Sequence, residues 1–68
     1  MTEFEFRHLK EGTVVEYRFE QNKYYEIYHY EEFDHYYMGR DLDNKKKMIR
    51  IDKSNCDMWK IAGRMKRD

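Results

Sequence analysis

The feature that most limits the fold is a two-residue alternation of apolar and polar side chains. It is clearest in residues 13–20, where charged residues stand between the apolar positions Val15, Tyr17 and Phe19. Successive side chains of a β-strand point to opposite faces, so this pattern predicts a strand with one buried face. A chain that carries such segments is expected to be built around a sheet.

Further strands are predicted on both sides of this segment, at residues 3–7, 24–32, 36–38 and 47–52. Asn22 lies in the polar stretch between the two longest strands and predicts a hairpin turn, because asparagine tolerates the left-handed conformation. Gly39 is expected to end the strand that precedes it. The inward-facing residues, which predict the core, are Val15, Tyr17, Phe19, Ile27, Ile49 and Ile51.

Residues 56–66 fit two patterns. Ser54 and Asp57 have the spacing of a helix N-cap, and the apolar residues that follow recur at helical spacing. Trp59 and Ile61 also alternate as a strand would. We favour a short helix. The predicted fold is therefore mainly β (α+β), a small antiparallel sheet of four to five strands with a short C-terminal helix, either backed by that helix or curled into an SH3-like or OB-like barrel.

Length and cysteine content bound the class of protein. At 68 residues, we expect residues 1–68 to form a single small domain. A lone cysteine, Cys56, cannot form an internal disulfide, which favours a reducing compartment. The sequence shows neither a signal-peptide apolar region nor a stretch long enough to span a bilayer. We expect a cytoplasmic protein that does not insert into membranes.

Residues that could carry chemistry do not occur in a recognisable arrangement. His29 and Glu31 would share a strand face, but the paired histidines or cysteines of a zinc site are missing. Cys56 has no base at a spacing that would activate a nucleophile. Three isolated glycines cannot form a phosphate-binding loop. We therefore expect no catalytic residues, no metal and no cofactor.

The tyrosines suggest a binding surface. On the predicted strand 24–32, the side chains expected opposite the core residue Ile27 are Tyr24, Glu26, Tyr28 and Tyr30. Tyrosine and arginine are enriched at interfaces, so these residues, together with the outward-facing Arg50, predict a surface for a larger protein partner. The favoured function is a small non-catalytic interaction module or inhibitor, of the kind found among accessory and phage-type regulators. The sequence leaves open whether the C-terminal helix covers the tyrosines.

Charge suggests an alternative. Residues 1–37 carry four basic and nine acidic side chains, whereas residues 38–68 carry ten basic and five acidic ones. The basic half could bind single-stranded nucleic acid with the tyrosines as stacking platforms, through Lys45, Lys46, Lys47, Lys60 and Arg64. Glutamates on the tyrosine strand and a net charge of zero oppose this reading. A homodimer through an edge strand also stays open.

Overall fold

A five-stranded antiparallel sheet forms most of the computed structural model, which describes residues 1–65. Its elements are α1 (Glu3–Arg7), β1 (Thr13–Tyr17), β2 (Tyr24–Glu31), β3 (Tyr36–Asp41), β4 (Met48–Ile51), a 3₁₀ turn (Cys56–Met58) and β5 (Trp59–Arg64). The strand order is β4-β3-β2-β1-β5, which confirms the mainly β class. The sheet stays open with β4 and β5 as its edges, so the predicted barrel is not confirmed. No helix of the described residues has the length and apolar character needed to cross a membrane.

The first predicted strand is wrong, because residues 3–7 form α1. Thr2 caps this helix: its Oγ1 accepts from the Glu5 amide at 3.1 Å, and Glu5 Oε1 accepts from the Thr2 amide at 2.9 Å. This reciprocal pair satisfies amides that a short helix leaves unpaired. Phe6 is buried beneath the helix, whereas Phe4 is 71% exposed. A segment of five residues is too short for the spacing of its apolar residues to distinguish a helix from a strand.

The predicted C-terminal helix is also wrong. A single 3₁₀ turn is followed by β5, which pairs antiparallel with β1 from Tyr17↔Trp59 to Thr13↔Arg64. Pairing with β1 satisfies the backbone of both strands, whereas Gly63 would cost a helix about 1 kcal/mol relative to alanine. Residue 66, the last position of the predicted helix, lies outside the described residues.

The core lies between the inner face of the sheet and a cover made of α1 and the 3₁₀ turn. Three predicted core residues are fully buried there, namely Val15, Ile27 and Ile51. Tyr17 and Ile49 pack at its margin. The remaining buried members are Phe6, Leu9, Tyr25, Tyr37, Cys56 and Trp59. Phe19 was predicted for the core wrongly: it is 71% exposed, because β1 ends at Tyr17 and the chain turns away.

Two turn predictions have different outcomes. Asn22 adopts a left-handed conformation with φ of 64°, which confirms the turn between β1 and β2. Gly39, in contrast, lies inside β3 and does not end it. A Cβ atom at this position would come within 2.8 Å of Ile49 Cδ1. Glycine therefore allows Ile49 to pack across β3.

Asp41 is a buried carboxylate that organises the turn from β3 to β4. Its side chain is 1% exposed, and Oδ1 accepts from the amides of Asp43 (2.8 Å) and Asn44 (3.3 Å). Oδ2 has no hydrogen-bond partner, although Lys23 Nζ lies 3.9 Å away. The hydrogen bond from Asp43, helped by that from Asn44 and by the lysine charge, lowers the pKa of Asp41 despite the opposing effect of burial.

We expect the fold to lose stability in acid. The pKa of Asp41 is lowered by its amide hydrogen bonds, and that of Asp52 is lowered chiefly by the Ser54 side chain. Carboxyls with a lowered pKa stabilise the fold above their unfolded pKa of about 4, and this stabilisation is lost as pH falls through the folded values. Thermal melts between pH 7 and pH 2 should show a falling midpoint below about pH 4. The Asp41→Asn variant should show a weaker pH dependence, and an unchanged acid limb would contradict the role of Asp41.

Candidate interaction surface on the outer sheet face

The outer face of β2, β3 and β4 has no covering element within residues 1–65. Both α1 and the 3₁₀ turn contribute to the core on the opposite face, through Phe6 and Cys56. The strand that was predicted as a helix, β5, extends the sheet at its edge beside β1. The tyrosine-bearing face is therefore open in the described part of the chain.

A β-bulge in β2 decides which tyrosines share this face. Ile27 lies opposite Gly39, and His29 lies opposite Met38, so Tyr28 is the extra residue between them. The bulge shifts the alternation by one residue. Tyr28 remains on the outer side, but every residue after it changes face relative to an unbroken strand.

Tyr30 is moved to the inner side by this bulge. It lies opposite Tyr37 in the register, and the two ring centroids are 4.6 Å apart. Tyr37 in turn meets Phe6 of the core edge-on at 5.2 Å. The predicted stripe of three tyrosines on one face is therefore divided. No glycine near Tyr28 signals a bulge in the sequence.

Two arginines stack on two tyrosines of the outer face. The Arg40 guanidinium carbon lies 4.6 Å from the centre of the Tyr28 ring, and that of Arg50 lies 4.0 Å from the centre of the Tyr36 ring. The Tyr28 hydroxyl also donates to Met48 Sδ at 3.1 Å. Cation–π contacts at exposed sites stabilise by about 0.5–1 kcal/mol each. These contacts hold long side chains in place on an otherwise open face.

Four of the five residues predicted for partner binding lie on the outer face, namely Tyr24, Glu26, Tyr28 and Arg50. Glu26 is opposite Arg40 on β3. Sequence reasoning missed Arg40 because it ended the strand at Gly39, and it missed Tyr36 because it assigned no faces to the short strand 36–38. Continuing the alternation through the glycine would have placed both on the same face as Met38.

The five basic residues of the nucleic-acid alternative do not form one track. Lys45 and Lys46 are exposed in the loop between β3 and β4. The Lys47 amine lies 5.9 Å from the centre of the Tyr25 ring, on the inner side. Lys60 and Arg64 are on β5 at the other edge of the sheet, where Lys60 faces Glu16.

Titratable side chains elsewhere are used in local contacts. Cys56 is buried, and its thiol donates to the Lys53 carbonyl at 3.6 Å. His35 Nδ1 lies 3.0 Å from the Tyr30 hydroxyl, and His29 is 3.9 Å from Glu31. Within residues 1–65, no three His, Cys, Asp or Glu side chains come close enough together to hold a metal ion.

The outer sheet face combines features that are typical of protein interfaces. Aromatic rings, methionines and arginines lie together there, with charged residues around them. The sulfur and ring contacts link side chains of three strands, β2, β3 and β4. Comparisons of the chain with protein-family models, with curated proteins and with solved structures find no match.

Proposed function

We propose that this protein is a small non-catalytic interaction module that binds, and by binding inhibits, a larger protein through its outer sheet face. The observation that carries the proposal is the pair of tyrosine–arginine stacks on a face with no cover in the described residues. Tyrosine and arginine dominate interface hot spots, because each combines a large contact area with directional hydrogen bonding.

Preorganisation is the physical advantage of this surface. Ordering a long, free side chain on binding costs about 0.5–1.5 kcal/mol, and Arg40, Arg50 and Tyr28 are already held by ring contacts. A stacked guanidinium can still donate from its edge to a carboxylate. Arg50 Nε already lies 3.7 Å from Asp52 Oδ2, so a partner carboxylate would meet the other N–H groups of this guanidinium. The partner surface that fits is therefore apolar at its centre, with carboxylates placed to meet the two arginines.

Single-stranded nucleic acid fits this surface less well. Bases would need the ring faces of Tyr28 and Tyr36, which are covered by guanidinium groups. The lysines predicted to follow a phosphate backbone lie at two edges of the sheet. A residual nucleic-acid affinity should fall steeply with salt, with a slope of about −0.7 per contacted phosphate.

The compartment that we infer is the cytoplasm. The chain has one cysteine, Cys56, and its thiol is buried in the core. A fold of this size that uses no disulfide is typical of reducing compartments. Inhibition of a cytoplasmic protein is consistent with this placement.

Removing one stacked ring tests the proposal. The immobilised protein should capture its partner from a lysate of the source cell, and Tyr28→Ala should reduce the apparent affinity at least about tenfold. The fold should be retained, with the free energy of unfolding changed by about 1 kcal/mol or less, because Tyr28 lies outside the core. Phe19→Ala, which removes an exposed ring elsewhere, is the matched control.

Nuclease treatment separates the two classes of partner. Capture that survives nuclease and is lost in Tyr28→Ala and Arg50→Ala supports a protein partner at the outer face. Loss of capture on nuclease treatment would replace the proposal with the nucleic-acid alternative. Equal capture by Tyr28→Ala and the unchanged protein would show that the outer face is not the binding surface.

A further inference from the structure

A second surface, distinct from the outer face, carries a projecting aromatic ring. Phe33 lies at the tip of the turn between β2 and β3 and is 91% exposed. Its amide donates to Glu31 Oε1 at 3.2 Å, and the turn closes with His35 in a left-handed conformation, φ 54°. Glu32 and Asp34, both exposed, flank the ring on either side. The tip is thus an apolar anchor between two negative charges.

A surface pocket of about 460 Å³ opens beside this tip, between the hairpin and α1. Its aromatic walls are Phe6, Tyr30 and Tyr37. The ring of Phe33 does not line it. Pockets of this size and apolar character accept an aromatic group and bury most of its surface.

The rim of the pocket is basic. Arg7 and Lys53 both line it, together with Glu3, which pairs with them at 2.8 Å and 3.2 Å respectively. One carboxylate shared between two cations leaves a net positive rim. The carboxylates of Glu32 and Asp34 of a second copy would meet opposite charge at this rim.

Anchor and pocket lie next to each other on one surface. Tyr30 and His35 line the pocket and belong to the same hairpin that carries Phe33. A patch that holds both a protrusion and its complement can pair with itself around a two-fold axis, the commonest symmetry of homo-oligomers. We propose that two copies of this chain form a symmetric dimer in which Phe33 of each copy inserts into the aromatic pocket of the other.

This dimer uses residues other than those of the proposed binding surface, because Phe33 and the pocket residues share no member with the tyrosine–arginine stacks. It also differs from a dimer in which edge strands pair, because a backbone carbonyl at each edge of the sheet already accepts a hydrogen bond within the chain. At one edge, Asn55 Nδ2 already donates to the Arg50 carbonyl of β4 at 3.0 Å. At the other edge, the Met1 amine donates to the Trp59 carbonyl of β5. The hairpin dimer does not depend on the proposed function and is tested without its partner.

Sedimentation velocity over a series of protein concentrations tests the dimer. The unchanged protein should shift from monomer to dimer, and Phe33→Ala should weaken the association at least about tenfold, as loss of a central anchor does. Lys53→Glu should also weaken it, because it places a negative charge on the pocket rim. Phe19→Ala and Lys46→Glu, which make the same changes at exposed positions elsewhere, should dimerise normally.

Mixing the variants distinguishes the proposed exchange from other dimers. Phe33→Ala retains an intact pocket and Lys53→Glu retains an intact anchor, so the mixed dimer has one unaltered exchange and one that carries both substitutions. Substitutions in the same contact are not additive, and an exchange already lost to one of them loses little more from the other. The mixture should therefore form a heterodimer tighter than either variant alone. Two Phe33 rings that pack against each other would give no such rescue. A monomer at every concentration, a dimer indifferent to Phe33→Ala, or absence of rescue on mixing each overturns the proposal. Circular dichroism of both variants confirms that they are folded.

Discussion

Ile51→Ala is expected to destabilise the fold by about 2–5 kcal/mol, the usual cost of truncating a buried isoleucine. Ile51 is fully buried and lies on β4 opposite Tyr37 of β3. Because a domain of this size has only about 3–5 kcal/mol of stability, the variant should be largely unfolded at room temperature. Urea titration followed by circular dichroism measures the change.

Ile49→Ala is the matched control for this prediction. It removes the same atoms from the same strand, but Ile49 is only partly buried and packs against the margin of the core. Its cost should therefore be clearly smaller. Equal destabilisation by the two variants would contradict the placement of β4, since Ile49 and Ile51 would then be equally enclosed.

Trp59→Ala is expected to cost about 3–5 kcal/mol, which would also unfold the protein. The indole is buried at the start of β5, with ring centroids 5.0 Å from Tyr17 and 5.4 Å from Tyr25. Its removal takes away the side chain that joins β5 to β1 and β2 on the inner face. Thermal melting followed by circular dichroism provides the measurement.

Met58→Ala provides the comparison for Trp59. Met58 is the adjacent residue in the 3₁₀ turn but is 40% exposed, so its truncation should cost much less. The fluorescence of Trp59 in the unchanged protein should be blue-shifted, as expected for a buried indole. A red-shifted emission, or a folded Trp59→Ala variant, would contradict the burial of the Trp59 side chain on the inner face of the sheet.

Alternation was a reliable guide in the middle of the longer segments, but it failed at Phe19, beyond the end of β1, and at Tyr30, beyond the bulge in β2. The burial of Val15 and Ile27 and the turn at Asn22 all follow from residue types and their spacing. It failed at residues 3–7, where a five-residue segment fits both periods and the decisive feature was the capping pair of Thr2 and Glu5. Short elements are decided by local hydrogen bonds that a periodicity count does not see.

The candidate surface was predicted in part. Its strand and its tyrosine character could be predicted, because β-favouring aromatic residues are concentrated in residues 24–32. The arginines that stack on the rings could not, since Arg40 meets Tyr28 only across the β2–β3 pair. The division of the tyrosines by the bulge likewise depends on how β2 is paired with β3.

The sequence by itself determined that this protein is a mainly β structure with a core of aliphatic and aromatic side chains. Both the strand content and the composition of the core follow from the types and spacing of residues that are close together in the sequence. The tertiary structure alone decided that residues 59–64 form a strand, because the free edge of β1 supplies hydrogen bonds that no local pattern records. It also decided which tyrosines face outward, since one unpaired residue in β2 changes the face of every residue after it.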